Sequence, residues 1–213
     1  MLLLDERKLL VEYGKKLIEK NLTKGTSGNL SIFNREKKLF AITPSGIDYF
    51  KTQIEDIVIM DLNGNVVEGN RKPSSEYNLH RFFYENRNDI DSIVHAHTVY
   101  STILSCLRVD LPAVHYMIAS AGKDIRCAEY ATFGTEELAK NAYNAMIDRK
   151  AVLLSNHGVL TGGRTISEAF SILEDIEYVS ELYIKAKNIG EPIIIDDKEM
   201  DKIIEKFKTY GQK

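Results

Sequence analysis

Between Asp5 and Asn21 the apolar residues Leu9, Leu10, Tyr13, Leu17 and Ile18 recur at steps of three and four while Lys and Glu fill the other face. That period predicts an amphipathic helix. The stretch Thr23–Asn29 is too rich in glycine and hydroxyl side chains to continue it, and Leu30–Phe33 and Leu39–Thr43 then read as strands across a turn at Asn34–Lys38. Ile57–Met60 and Val66–Glu68 flank Asn63-Gly64, a pair that tolerates positive φ and marks a hairpin, so the early strands are largely antiparallel. Pro73-Ser74-Ser75-Glu76 has the form of a helix start, with serines able to cap free N–H groups, and predicts a helix from about Glu76 to Asn86. A strand over Ile93–Thr98 and a helix to Leu107 follow. Helices over Glu136–Arg149 and Thr165–Asn188 bracket a buried strand at Ala151–Ser155, and a last helix covers Lys198–Phe207, with Gly211 as a stop. No repeat, low-complexity tract or dividing linker interrupts this order. The elements sum to a single α/β domain over residues 1–213, three αβα layers with a largely antiparallel or mixed central sheet.

Composition narrows the class. With 213 residues, 44% of them hydrophobic, the chain can bury a substantial core and is neither collagenous nor disordered. Lys plus Arg number 28 against 31 Asp plus Glu, a net charge of −3 with no basic stripe, so nucleic acid is not an expected partner and any anionic ligand must be held locally. The two cysteines, Cys106 and Cys127, cannot form a disulfide framework and read as small buried hydrophobes in a reducing cytosol. The apolar Met1–Leu4 is too short for an export signal, and no run approaches the ~20 residues of a membrane span. The expectation is a cytoplasmic protein.

The chemistry concentrates in the histidines. His95 and His97 stand two apart on a predicted strand, where alternate side chains share a face, so both imidazoles project together. His157 follows another apolar strand, in Asn156-His157-Gly158. Strand ends can meet at one rim of a sheet, and three imidazoles with an open position is the pattern of a catalytic zinc. Glu76, at a helix start, reads either as a favourable cap or, if this turn faces the metal, as a fourth ligand and general base. His80, four residues later on the same helix face, reads as a surface or supporting partner. Three small-residue loops, Thr26–Asn29, Thr43–Gly46 and Pro73–Ser75, offer hydroxyls and accessible N–H groups, a neutral way to hold a phosphate.

Taken together, Gly25–Ser31, Thr43–Gly46, Pro73–Glu76, His95–His97 and Asn156–Gly158 resemble the class II aldolase and epimerase family, in order and over nearly the whole chain. Within it, His115–Ala119, Tyr130–Thr135 and the ending Lys206–Gly211 are similar to the branch that cleaves L-fuculose 1-phosphate. The resemblance implies one Zn²⁺ per subunit on His95, His97 and His157, with Glu76 as resting ligand and proton-abstracting base. It places the substrate phosphate among Thr26, Gly28, Asn29, Ser45, Gly46, Ser74 and Ser75. Tyr116, by itself readable as a core aromatic, would serve the aldehyde oxygen from a neighbouring subunit of a homotetramer, and Phe133 and Tyr210 would shape the aldehyde pocket. The implied reaction is reversible cleavage of a 1-phosphoketose into dihydroxyacetone phosphate and L-lactaldehyde. Alternatives within the family are an L-ribulose-5-phosphate 4-epimerase or a sugar-phosphate dehydratase; a non-catalytic scaffold of the same fold is a third, against which the three histidines argue.

Overall fold

The structure, a computed structural model, describes residues 1–207 and 209. Among these the chain forms helices α1 (Leu4–Glu19), α2 (Tyr77–Asn86), α3 (Val99–Leu107), α4 (Glu136–Ala145), α5 (Ile166–Ile189) and α6 (Asp197–Phe207). The strands are β1 (Asn29–Asn34), β2 (Leu39–Ile42), β3 (Val58–Asp61), β4 (Val66–Glu68), β5 (Ser92–Ala96), β6 (Cys127–Ala128), β7 (Ala151–Leu154) and β8 (Gly158–Gly163). They join in one sheet of order β4-β3-β2-β1-β5-β8-β7-β6, antiparallel throughout except for the parallel pair β6 and β7.

Both faces of the sheet are covered, and the strands alternate between two cores. On one side Leu10 and Leu17 of α1, Leu104 of α3, Leu173 and Ile176 of α5 and Met200 of α6 pack on Leu30, Val94, Leu153 and Val159. On the other, Leu79 and Phe83 of α2 and Leu138 and Ala142 of α4 pack on Phe40, Met60, Ile93, Val152 and Leu160. Neighbours such as Ile93 and Val94 therefore face opposite layers, as the two-residue period of a strand requires. The expected three-layer αβα arrangement is the one that forms. Each fully buried leucine or isoleucine contributes roughly 1.5–3 kcal/mol of transfer free energy, so these two cores dominate stability. Arg7, buried in α1, ties that helix to β4 through a 2.7 Å ion pair with Glu68.

Several details differ from the sequence reading. The central strand β8 is not predicted, because Gly158, Gly162 and Gly163 weaken its strand signal. Those glycines serve close packing: a Cβ on Gly158 would lie 2.5 Å from the Ala96 carbonyl oxygen. Strand β5 ends at Ala96, so His97 lies just beyond it rather than on it. Helix α4 stops at Ala145, before a turn in which Asp148 adopts positive φ. The cysteines are not buried: Cys106 is exposed on α3 and Cys127 is partly exposed on the edge strand β6.

Candidate metal centre and active site

Sheet topology explains how distant histidines meet. β8 runs antiparallel to both β5 and β7, with Ala96 opposite Val159 and Leu154 opposite Gly158. The C-terminal end of β5 thus lies beside the β7–β8 turn that carries His157. Asn156 takes positive φ in that turn, and its amide oxygen accepts from Arg108 at 2.9 Å. The His157 N–H returns to Leu154 O. The three rings stand edge to face with centroids 4.8–5.0 Å apart. One ligand atom from each of His95, His97 and His157 lies within 4.8 Å of the others. His95, fully buried, donates from Nδ1 to Val159 O at 2.9 Å, which leaves Nε2 pointing at the cluster. On the far side of His97 the chain enters α3, whose first N–H groups at Tyr100 and Ser101 are satisfied by the Glu177 carboxylate of α5. That cap anchors the segment following the two histidines.

Glu76 occupies the N-cap position of α2 and closes the cluster. Its Oε2 is 3.3 Å from His95 Nε2 and accepts from Asn29 Nδ2 at 2.9 Å; its Oε1 is 3.5 Å from His157 Nε2. Burial pushes His97 and His157 down to about 4, reinforced by the charge of His95, so both rings are neutral at pH 7. Burial also opposes charge on Glu76 and on His95, but the two sustain each other. His95, His157 and the Asn29 amide hold the Glu76 carboxyl well below the usual carboxylate range, and the Glu76 carboxylate lifts His95 above its ordinary value. Positive charge at the rings and negative charge at Glu76 therefore favour each other. Glu76 Oε1 is buried without a hydrogen-bond partner, an orphan acceptor at that spot. Three imidazole nitrogens and a carboxylate oxygen are a donor set suited to a divalent transition-metal ion, and the residues fit such an ion.

Beside this cluster opens a cavity of about 360 Å³. Thr26, Gly28, Asn29, Ser45, Gly46, Ser74 and Ser75, the seven residues expected around a phosphate, all line it with Glu76, His97 and His157. The loops are tied together by backbone: Ser45 N–H donates to Lys72 O, Ser74 N–H to Thr43 O, and Pro44 bridges Pro73. Gly28, at φ 80°, passes so close to β5 that a Cβ would sit 2.6 Å from His95 O, so this loop and the metal cluster share a wall. The buried Tyr49 hydroxyl donates to Gly28 O at 2.8 Å and pins the same loop. Tyr49 escapes sequence reading, since nothing near it in the chain hints at a contact 21 residues away.

Phe133 also lines the cavity, with Tyr130 and Ala131, and is 64% exposed. Tyr130 is a second apolar wall that sequence reading passed over, although it stands in the Tyr130–Thr135 string. Tyr116 is placed elsewhere. It begins a 3-10 turn over Tyr116–Ser120, is 51% exposed, and faces a separate groove shared with Met117 and Phe207. Tyr210 lies outside the described residues.

Over residues 8–184 the sequence matches the Class II Aldolase and Adducin N-terminal domain, and the chain belongs to this family as a class II aldolase, a carbon–carbon lyase. A 5-deoxy-D-ribulose 1-phosphate aldolase of Bacillus thuringiensis serovar kurstaki is 51% identical over 212 residues, 100% of both chains. A 5-methylthioribulose-1-phosphate/5-deoxyribulose-1-phosphate aldolase of Rhodospirillum rubrum is 43% identical, covering 95% of this chain and 90% of that one. A solved structure of an L-fuculose 1-phosphate aldolase superposes with a TM-score of 0.95 at 60% identity over 96% of each chain.

Proposed function

We propose that this protein cleaves a 1-phosphoketose reversibly between C3 and C4, giving dihydroxyacetone phosphate and a short aldehyde, and that residues 1–213 work as one catalytic domain. The observation that carries the reading is the shared cavity: hydroxyl- and glycine-rich loops line the same space as His97, His157 and the Glu76 carboxylate, with the buried His95 completing the cluster behind them. Zn²⁺, one per subunit, is the ion we assign to His95, His97 and His157, with Glu76 as its ligand at rest. The chemistry supplied by a bound divalent cation is polarisation of the substrate oxygens beside the reacting bond.

The protein's own groups do the rest. Thr26, Gly28, Asn29, Ser45, Gly46, Ser74 and Ser75 hold the phosphate without a full positive charge, which fixes the distance from phosphorus to the reacting carbons. In the condensation direction Glu76 removes a proton from the hydroxymethyl carbon of dihydroxyacetone phosphate, and Tyr116 gives one to the new alkoxide; in cleavage both transfers reverse. Since Tyr116 faces away from its own chain's cavity, we assign it to the site of a neighbouring copy in a homotetramer. Phe133 and Tyr130 form an apolar wall for the aldehyde, and a role toward the same aldehyde is assigned to Tyr210. Two unpaired thiols suit a cytosolic enzyme.

The aldehyde is L-lactaldehyde if L-fuculose 1-phosphate is the substrate, a choice supported by the 60% identical structure. The full-length 51% identity to the 5-deoxy-D-ribulose 1-phosphate aldolase favours a second substrate whose released aldehyde is acetaldehyde. Both ketoses end in a methyl group, which the aromatic wall can cover. The zinc-loaded enzyme, incubated separately with each ketose, is expected to release dihydroxyacetone phosphate, and the ratio of kcat/KM values assigns the substrate. Epimerisation of L-ribulose 5-phosphate with no release from either ketose would overturn the aldolase substrate assignment.

A further inference from the structure

We propose that His80 is a positioning residue that orients Glu76 for proton transfer, acting through Asn29 at the end of a one-way chain of buried hydrogen bonds. The inference rests on Glu76 being the group that moves the carbon-bound proton.

The chain arises from two interlocking periods. Glu76, His80 and Tyr84 recur every four residues along one side of α2, and Asn29 and Ser31 recur every two along β1, so a helix row meets a strand row. The next strand position, Phe33, continues the contact by stacking on Tyr84 with centroids 5.0 Å apart. All five polar members are buried, with His80 and Ser31 at 0% exposure. His80 Nε2 bonds Asn29 Oδ1, while His80 Nδ1 bonds the Ser31 hydroxyl, which also bonds the Tyr84 hydroxyl.

The direction of every bond follows from the carboxylate. An ionised Glu76 can only accept, so Asn29 must turn its NH₂ toward Oε2, at 2.9 Å. Asn29 Oδ1 then faces His80, which must carry its proton on Nε2. Burial pushes His80 down to about 3, so the ring is neutral and Nδ1 has only a lone pair. Ser31 therefore donates to Nδ1 and accepts from Tyr84. No member can reverse alone without leaving two acceptors or two donors facing each other in a buried space, where an unmade hydrogen bond is costly. The consequence is selective: Oε2 is fixed, while Oε1 is left without a partner beside His157. The chain thus determines which carboxylate oxygen is free to accept the proton.

The test uses full-length, zinc-loaded enzyme and follows hydrogen exchange with solvent at the hydroxymethyl carbon of dihydroxyacetone phosphate, with no aldehyde present. Wild type is expected to exchange and Glu76→Gln to stop; if wild type fails to exchange, or Glu76→Gln continues, it is the proton-abstraction role of Glu76 that falls. With that role established, His80→Leu should slow exchange and kcat by about 10- to 100-fold, the usual effect of losing a group that orients a site residue, at unchanged zinc content and KM. His80→Gln, which offers one donor and one acceptor, should recover most of the rate. Wild-type exchange in His80→Leu, or a loss explained by lost zinc or raised KM, would overturn the inference. If His80→Leu does not fold, Ser31→Ala decides: slowed exchange supports the chain, and exchange at the wild-type rate rejects it.

Discussion

At His95 one side chain serves two purposes, since its Nδ1 bonds the Val159 carbonyl of β8 while its Nε2 faces the metal cluster. Replacing it separates the two. His95→Ala is expected to lose stoichiometric zinc and about 10²-fold or more in activity, because the most rigidly held imidazole of the cluster is removed and Glu76 cannot replace it as a permanent ligand while also acting as the base. The chain should still fold, shown by an unchanged far-UV circular dichroism spectrum, because the two hydrophobic cores rather than an ion hold a chain of this size together. Unfolding on chelation would instead mark the ion as structural. At this scale the sequence was readable for His95, His97, His157 and Glu76, whose residue types already carry metal and proton chemistry. It was silent on Tyr49, and for His80 it indicated a helix neighbour of Glu76 without the intervening Asn29.

At the scale of elements, β8 is where local pattern and tertiary need diverge. Its glycines lower strand propensity, yet Gly158 lets β8 approach β5 at the point where His157 must meet His97. A Cβ there would lie 2.5 Å from Ala96 O and 2.9 Å from the His97 ring. Gly158→Ala is therefore expected to destabilise the protein by about 1–3 kcal/mol, the cost of overpacking a close contact, and to lower zinc affinity together with activity. Thermal melts of the zinc-free protein and zinc titration would check both; a variant with wild-type zinc affinity would show that the approach of β8 to β5 does not set the site. The hairpin at Asn63-Gly64, by contrast, was legible because its turn chemistry is contained in four adjacent residues, and Gly64 does take φ 84°. The strand predicted over Ile93–Thr98 ends in fact at Ala96, so His97 lies one residue beyond it, yet its ring still meets those of His95 and His157.

For the whole molecule, the buried histidines make stability depend on pH once metal is removed. His80, His97 and His157 are held below their ordinary 6.5, at about 3, 4 and 4. Below pH 6.5 the unfolded chain therefore binds more protons than the folded one, and stability falls as pH drops toward 4, by at most about 1.4 kcal/mol per pH unit for each group. His95 has the opposite sign. It is raised by Glu76, so its contribution is complete below 6.5 and is lost as pH rises through its raised value. The melting temperature of chelator-treated protein should accordingly peak near pH 6.5 and decline on both sides; a level profile from pH 6.5 down to about 4.5 would contradict the burial of these rings as neutral groups.

The sequence alone determined most helices, the early hairpins, the three-layer class and the residue types able to bind a metal and a phosphate, because periodicity, turn residues and side-chain chemistry are local properties. Only the tertiary structure decided that β8 sits between β5 and β7, that His157 reaches His95 across that junction, and that Asn29 and His80 stand behind Glu76. Those outcomes depend on which strands pair and in what register, and pairing is settled by the packing of both sheet faces at once, a quantity that no short stretch of chain contains.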